Sequence, residues 1–320
     1  MSLARFAAPA RSDVVALRVR RAGPLALLQD AGRFGVRRLG VTQGGPADLH
    51  AWAWANRLAG NGWGTAALEV TLGGLELEVA RDLQLAVCGA DLGASLDGQA
   101  LPLWQRVALR EGQRLAFATP RAGLRAYLAV AGGFVAEPVL GSCACVVREG
   151  LGGHDGHGRS LAEGDVLRVA VRTPSGPAPT VPDDERPDYR AECRLALLPG
   201  AQIADFAGAS LYAAFNARWR VDDRADRMGV RLTGPALRCR IETLVSEGLG
   251  LGAVQVPPDG QPIALLNDRQ TIGGYPRLGA LTPLSASRLA QCLPGQAVRL
   301  VALSPERALA DYRRFRRGFG

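Results

Sequence analysis

With 320 residues, 48% of them hydrophobic and 21% charged, the chain has a globular composition and enough length for two ordinary domains. No apolar run reaches the roughly eighteen residues that a membrane-spanning helix needs, so no membrane association is expected. The formal charge of +8 comes from 38 basic residues that are all arginine; lacking lysine, the chain can supply neither a phosphate-loop nor a Schiff-base lysine, and cannot itself carry biotin.

Residues 1–13 read as a short disordered lead-in: no apolar stretch long enough for a signal peptide follows the early arginine, so a cytoplasmic protein is expected. The six cysteines, at positions 88, 143, 145, 193, 239 and 292, are scattered and read as reduced thiols. Beyond the lead-in the pattern is mostly β. Glycine and proline punctuate short alternating or apolar runs such as VALRVRRAG, ALEVTLGGLELEV, LQLAVCGA, RAYLAVAGG, CRLALLPG, IALLND and AVRLVAL. Three segments share a template in which a Gly-Gln or Gly-Asp turn leads into a strand: LREGQRLAF from 109, LAEGDVLRV from 161 and CLPGQAVRL from 292. Such units are frequent in barrels and sandwiches.

Two helices stand out. PADLHAWAWANRLAGN, from Pro46, places Leu49, Trp52, Ala53 and Asn56 at helical spacing before Gly60. SPERALADYRRF opens with Ser304 as cap and Pro305 in the first turn. RTPSGPAPTVPDDERPDY, from 172, is proline-rich and poor in apolar residues. The reading therefore divides the chain into an N-terminal β-barrel subdomain over 14–173, a linker over 174–190, a C-terminal β-barrel subdomain over 191–303 and a basic helix over 304–320. RRFRRGFG, residues 313–320, is the densest basic cluster. The other arginines are dispersed among acids and only 6% of the chain is aromatic, so a nucleic-acid partner is not expected.

The chemistry concentrates at two strand ends. IALLNDRQTIGGYPRLG, residues 263–279, begins as a buried strand and then sets Asn267, Asp268, Arg269, Gln270 and Thr271 before two glycines. LLQDAGRFGVRRLG repeats the design with Gln29, Asp30 and Arg33. Amides donate and accept at once, arginine forks onto a carboxylate and aspartate can take a proton, a set suited to a small ligand with amide or ureido and carboxylate groups. The competing reading makes Asp30 and Arg33 an ordinary turn-stabilising pair. VQVPPDGQPIALL reads as a hairpin with Gln255 on its first strand. DAGRFGVRRLG from Asp30 is echoed by ADRMGVRLTG from Ala225, which suggests two related halves.

Two further stretches carry weaker signals. GLGGHDGHGRS, residues 150–160, clusters His154, Asp155 and His157; a glycine-rich loop of this kind reads as solvent-facing, and no metal site is assigned. Cys143 and Cys145 in GSCACV lack a histidine signature and read as structural thiols.

QDAGRFGVRRLGV, ANRLAGN, ALEVTLGG, YLAVAGGF, DRMGVRLTGPAL and VQVPPDGQPIALLNDRQTIGGYPRLG resemble, in order and spacing, the biotin-dependent carboxyltransferase family that includes the C-type subunit of prokaryotic 5-oxoprolinase, once called allophanate hydrolase subunit 2. The likeness runs from about residue 14 to residue 310. It implies cyclophilin-like β-barrels with a site in the cleft between two subdomains, partner subunits of the A and B types, and ATP-dependent opening of 5-oxo-L-proline to L-glutamate. Relatives fused into urea carboxylase instead move a carboxyl group from carboxybiotin to urea. Biotin would have to arrive on a separate carrier chain, and ATP would be used by the assembled complex. The chain departs from the family pattern at Cys143, where an arginine or another polar residue is usual, and in GGHDGHGRS, which looks about two residues longer.

On the family fold the two strand ends would meet. Asp268 and Asp30 would then be candidate bases or N–H acceptors, and Asn267, Gln270, Gln29 and Thr271 would hold an amide or ureido group, with Gln255 as a further candidate. Arg33, Arg227 and Arg269 would balance carboxylate or phosphate, and Tyr275 would line the mouth. A carboxyltransferase acting on a urea or amide, and a non-catalytic regulatory partner protein, are the alternatives.

Overall fold

The computed structural model describes residues 13–174 and 176–319. All of the expected lead-in except Asp13 lies outside them, as do Ser175 of the linker and Gly320.

The molecule is mainly β with four short helices among the described residues, as expected. Its first half, expected as a barrel, is instead two sheets that face each other across one core, not a closed barrel. One has seven strands, ordered Phe134–Val135, Val166–Ala170, Asp13–Ala22, Leu75–Val79, Arg114–Ala116, Ser95–Leu96 and Gln99–Ala100. The other has five, ordered Leu25–Gln29, Ala67–Thr71, Ala122–Val130, Leu83–Asp91 and Arg106–Leu109. Leu17 and Val19 of the first meet Leu28, Leu68, Val70 and Leu128 of the second in one core.

The five-stranded sheet is buried on both faces, which is why ALEVT and RAYLAV read as nearly continuous apolar runs rather than alternating ones. Side chains of alternate parity leave its outer face: Ala67, Ala86, Cys88, Tyr127 and Ala129 pack against Ala51, Trp52, Ala55 and Leu58 of α1, Leu49–Leu58. That helix starts one turn later than the sequence pattern indicates. Asp48, not a residue near Pro46, caps it, with Oδ1 accepting from the Ala51 N–H at 3.0 Å.

The second half is a closed seven-stranded barrel. Around it run Cys193–Pro199, Arg277–Leu281, Ala253–Gln255, Ile263–Leu265, Gly229–Thr233, Trp219–Val221 and Ala297–Ala302, the last pairing in parallel with the first. The Gln255 hairpin forms as read, Val254 opposite Ala264. Leu195, Trp219, Leu232, Val254, Leu278 and Leu300 fill the barrel, and Ala214 of α2, Gly208–Asn216, and Leu289 of α3, Pro283–Leu289, join them. The sequence reading expects neither of these helices.

The internal echo does not become a structural repeat. The segment from Asp30 leaves its strand and enters a short 3-10 turn, Arg37–Leu39, whereas the segment from Ala225 runs into the strand Gly229–Thr233. Within the proline-rich linker, Val181 and Tyr189 are buried in the cluster that holds α1, and Glu185 lies 3.0 Å from His50. Finally α4, Pro305–Arg317, is capped by Ser304 as expected and lays Phe315 against that same cluster.

Candidate functional site

The two polar strand ends converge on one loop, residues 43–47. From the first half, the Gln29 Oε1 accepts from the Gly45 N–H at 3.2 Å and the Arg33 N–H donates to the Gln43 carbonyl at 2.7 Å. From the barrel, the Asn267 Nδ2 donates to the Gly44 carbonyl at 3.2 Å and the Arg227 Nη2 to the Gly45 carbonyl at 2.7 Å. Gly44 and Gly45 have φ of 66° and 93°, a left-handed backbone that glycine adopts without strain. A Cβ on Gly44 would come within 2.9 Å of the Val146 Cγ2.

Asp30 and Arg33 secure the neighbouring backbone rather than pairing with each other. Asp30 accepts from the Gly32 N–H at 2.9 Å, the Ser142 hydroxyl at 2.6 Å and the Cys143 N–H at 2.7 Å. The fully buried Arg33 donates to the carbonyls of Val139, Ser142 and Ala144 at 2.8, 3.1 and 2.9 Å. Gln29 completes this shell by donating to the Cys145 carbonyl at 2.9 Å. Cys143 and Cys145 are protonated at neutral pH: burial, with Asp30 next, pushes the first up to about 11, and burial pushes the second up to about 12. Neither is poised as a nucleophile.

Asp268 is equally committed. Its carboxylate takes a fork from Arg227, Nε at 2.9 Å and Nη2 at 3.0 Å. The Arg227 Nη1 then reaches the fully buried Glu69 at 2.5 Å, and Glu69 also accepts from the Ala47 N–H at 2.9 Å and the Tyr127 hydroxyl at 2.7 Å. The Arg125 Nε lies 3.7 Å away. Burial alone would raise the Glu69 pKa; Arg227 and Arg125 outweigh it and hold the carboxyl below its ordinary range. At Asp268 burial wins and its pKa is raised. Arg227 is buried yet firmly cationic because Asp268 and Glu69 outweigh its desolvation.

The remaining candidates separate. Arg269 donates to the carbonyls of Leu249 and Leu266 at 3.2 and 3.1 Å; burial, with Arg37 next, lowers its pKa to about 10. The Thr271 carbonyl accepts from Arg37 at 3.2 Å. Gln270 is half-buried and Tyr275 is 42% exposed. Gln255 is buried in the barrel wall, its Nε2 near Gly273.

Beside the 43–47 loop lies a cavity of about 200 Å³. Phe34, Trp63, Leu251, Pro283 and Tyr312 give apolar walls, and Gln43, Asn267 and Ser287 are polar points among them. Asn267 is thus the sequence candidate that reaches the cavity, while Gln29, Asp30, Arg33, Arg227 and Asp268 stand behind the loop that forms its edge. Among the described residues, neither the Gln43 carboxamide nor the Asn267 Oδ1 has a protein hydrogen-bond partner, so both can serve a ligand. Gln43 and Glu69 are not flagged by the sequence reading. The signal for Glu69 is an acid within an otherwise apolar strand, ALEVT.

The histidine loop is not solvent-facing throughout. His157 is exposed, but the His154 side chain is only 8% exposed, with Nε2 3.0 Å from the Asp165 Oδ2. Arg159 ties the loop down by donating to both oxygens of Asp165 at 2.7 Å. Among the described residues no group of three or more His, Cys, Asp or Glu side chains could hold a metal ion, and no helix is long and apolar enough to cross a membrane.

Comparison with known proteins gives one consistent result. The family model "Carboxyltransferase domain, subdomain A and B" matches residues 39–302. The chain is 39% identical over 302 residues to the C-type subunit of 5-oxoprolinase from Escherichia coli (strain K12), covering 92% of this chain and 93% of the relative. It is 35% identical over 288 residues to the C-type subunit of 5-oxoprolinase from Haemophilus influenzae, covering 88% and 90%. The crystal structure of the K. lactis urea amidolyase superposes with a TM-score of 0.88 at 26% identity over 95% of this chain and 20% of that one. A barrel packed against a two-sheet half, together with these matches, makes the chain a member of the carboxyltransferase domain family, subdomains A and B.

Proposed function

We propose that the chain is the C-type subunit of an ATP-dependent 5-oxoprolinase, which with its A-type and B-type partners opens 5-oxo-L-proline to L-glutamate in the cytoplasm. The observation that carries the reading is the cavity at the edge of the 43–47 loop, where the Gln43 carboxamide and the Asn267 Oδ1 are unpaired between apolar walls. A lactam presents N–H beside C=O, and these two amides offer an acceptor and donors to match. A volume of about 200 Å³ suits a molecule smaller than a drug-sized ligand.

In this reading Asp268, Asp30, Arg33, Arg227 and Gln29 act through the loop, fixing where Gln43 and Asn267 stand, and do not touch the reacting atoms. ATP belongs to the assembled complex. The test is reconstitution of the three subunits with 5-oxo-L-proline and ATP. Glutamate release should need this chain, and Asn267→Ala should lower kcat/KM about tenfold, the loss of one hydrogen bond to substrate. Unchanged kcat/KM in Asn267→Ala would remove the cavity from the reaction.

The second reading, carboxyl transfer from a biotin carrier to urea or an amide, is favoured by the fold shared with the urea amidolyase. A ureido group has the same N–H and C=O arrangement. Biotin-dependent carboxylation of an amide without glutamate release would select it.

A further inference from the structure

The loop that gives Phe34 to the cavity gives Arg37, Arg38 and Gly40 to a second, more open groove of about 530 Å³, whose other wall is Gly248, Leu249, Gly250 and Thr271. Arg37 and Arg269 both donate to the Leu249 carbonyl, which sets two guanidinium groups side by side. Among the described residues no carboxylate lies within ion-pair distance of either. Asp268, next to Arg269 in the chain, has both oxygens occupied by Arg227. Arg38 is exposed on the same loop and, among the described residues, forms no ion pair.

Adjacent like charges without a counter-charge repel, and the repulsion grows as water is excluded. Arg269 is 3% exposed, so bulk solvent screens it poorly. Elsewhere in this protein the buried Arg227 and Arg125 stand by acids, Arg227 at Asp268 and Glu69 and Arg125 near Glu69, whereas the buried Arg33 is spent on three backbone carbonyls. In the groove the neighbour of Arg269 is a second guanidinium, Arg37, on the same Leu249 carbonyl, and the small residues Gly40, Gly248 and Gly250 leave its backbone open to close approach.

We propose that this groove binds a small oxyanion, a carboxylate or phosphate group, with Arg37 and Arg38 contacting it and the buried Arg269 supplying a fixed positive charge behind them. The inference does not depend on the reaction assigned above, because binding is read without turnover.

The test is titration calorimetry of the full chain at low salt with inorganic phosphate and, separately, with acetate, which carries a carboxylate but no lactam for the cavity beside the 43–47 loop. Saturable binding of phosphate alone identifies a phosphoryl group as the natural ligand, of acetate alone a carboxylate, and of both a shared oxyanion site. Arg37→Gln should weaken the bound ion about tenfold through loss of a charge-assisted hydrogen bond. Arg38→Gln, which removes no contact within the protein, should weaken it roughly threefold by its charge alone, while the distant Arg110→Gln should match the wild type. The proposal is overturned if neither ion binds the folded chain saturably, or if Arg37→Gln and Arg38→Gln both retain wild-type affinity.

Discussion

Glu69 receives donors from three separate stretches: Ala47 at the site loop, Tyr127 across the sheet and Arg227 from the barrel. Its charge is what allows Arg227 and Arg125 to be buried together. Glu69→Gln keeps the shape and removes the charge, leaving two guanidinium groups under-compensated, at a cost of roughly 3–5 kcal/mol. Urea unfolding at pH 7 measures this; a loss below about 1 kcal/mol would mean that the network is dispensable. The pH dependence has a definite sign. A carboxyl whose folded pKa lies below its ordinary value of 4.5 contributes stability that is complete above that value and is lost as pH falls through the folded value. The wild type should therefore lose stability on acidification below about pH 4.5, and Glu69→Gln should show a shallower decline over the same range. Asp268, with its pKa raised, contributes in the opposite sense: its share is present at low pH and lost as pH rises above its ordinary 3.8. Asp268→Asn should consequently cost less than Glu69→Gln at neutral pH.

At the scale of single elements, α1 carries the site loop because the loop runs straight into its cap. Asp48 Oδ1 caps the helix and Oδ2 accepts from the Tyr189 hydroxyl at 3.0 Å and the Gln291 Nε2 at 2.8 Å. Asp48→Ala should remove about 1 kcal/mol of capping and strand two buried donors at about 1–3 kcal/mol together. Asp48→Asn should recover the capping share, since asparagine caps as well as aspartate. Denaturant midpoints of the two variants separate the contributions; equal losses would show that the cap contributes nothing. What the sequence reveals of these elements follows from how local their causes are. The strands and α4 are legible because glycine turns, apolar runs and a Ser-Pro start are short-range signals. The seven-residue α3 carries the same signal in Thr282 and Pro283 but offers too little apolar periodicity, and α2 begins at Gly208 with no side-chain cap. Glu69 is hidden for another reason. An acid in a strand reads as a solvent-facing position, and its burial depends on an arginine 158 residues away. The polar strand ends stand out as clusters, yet which side chain meets the cavity and which braces the loop depends on partners such as Val139 and Gly44, set by tertiary contacts alone.

For the whole molecule, the two halves are joined by the Glu69–Arg227 pair, by Gln291 bonded to Arg125 and by α4, which returns from the barrel to the first half. Along α4, Phe315 is 8% exposed and its ring lies 4.9 Å from that of Phe319, which meets Trp54 edge-on at 5.3 Å. The Arg316 guanidinium stacks over Trp63. The same helix gives Tyr312 to the cavity, and Trp63 lines it too. Seating α4 therefore couples the junction of the halves to the shape of the proposed substrate site. Phe315→Ala should cost about 3 kcal/mol, lowering Tm by roughly 5 °C for a protein of this size. Because Tyr312 and Trp63 would lose their backing, KM for 5-oxo-L-proline should rise in the reconstituted complex while kcat changes little, the mark of weakened binding in ground and transition states alike. A lowered Tm with KM unchanged would confine α4 to stability, and a wild-type Tm would show that the helix is not seated on the first half in solution.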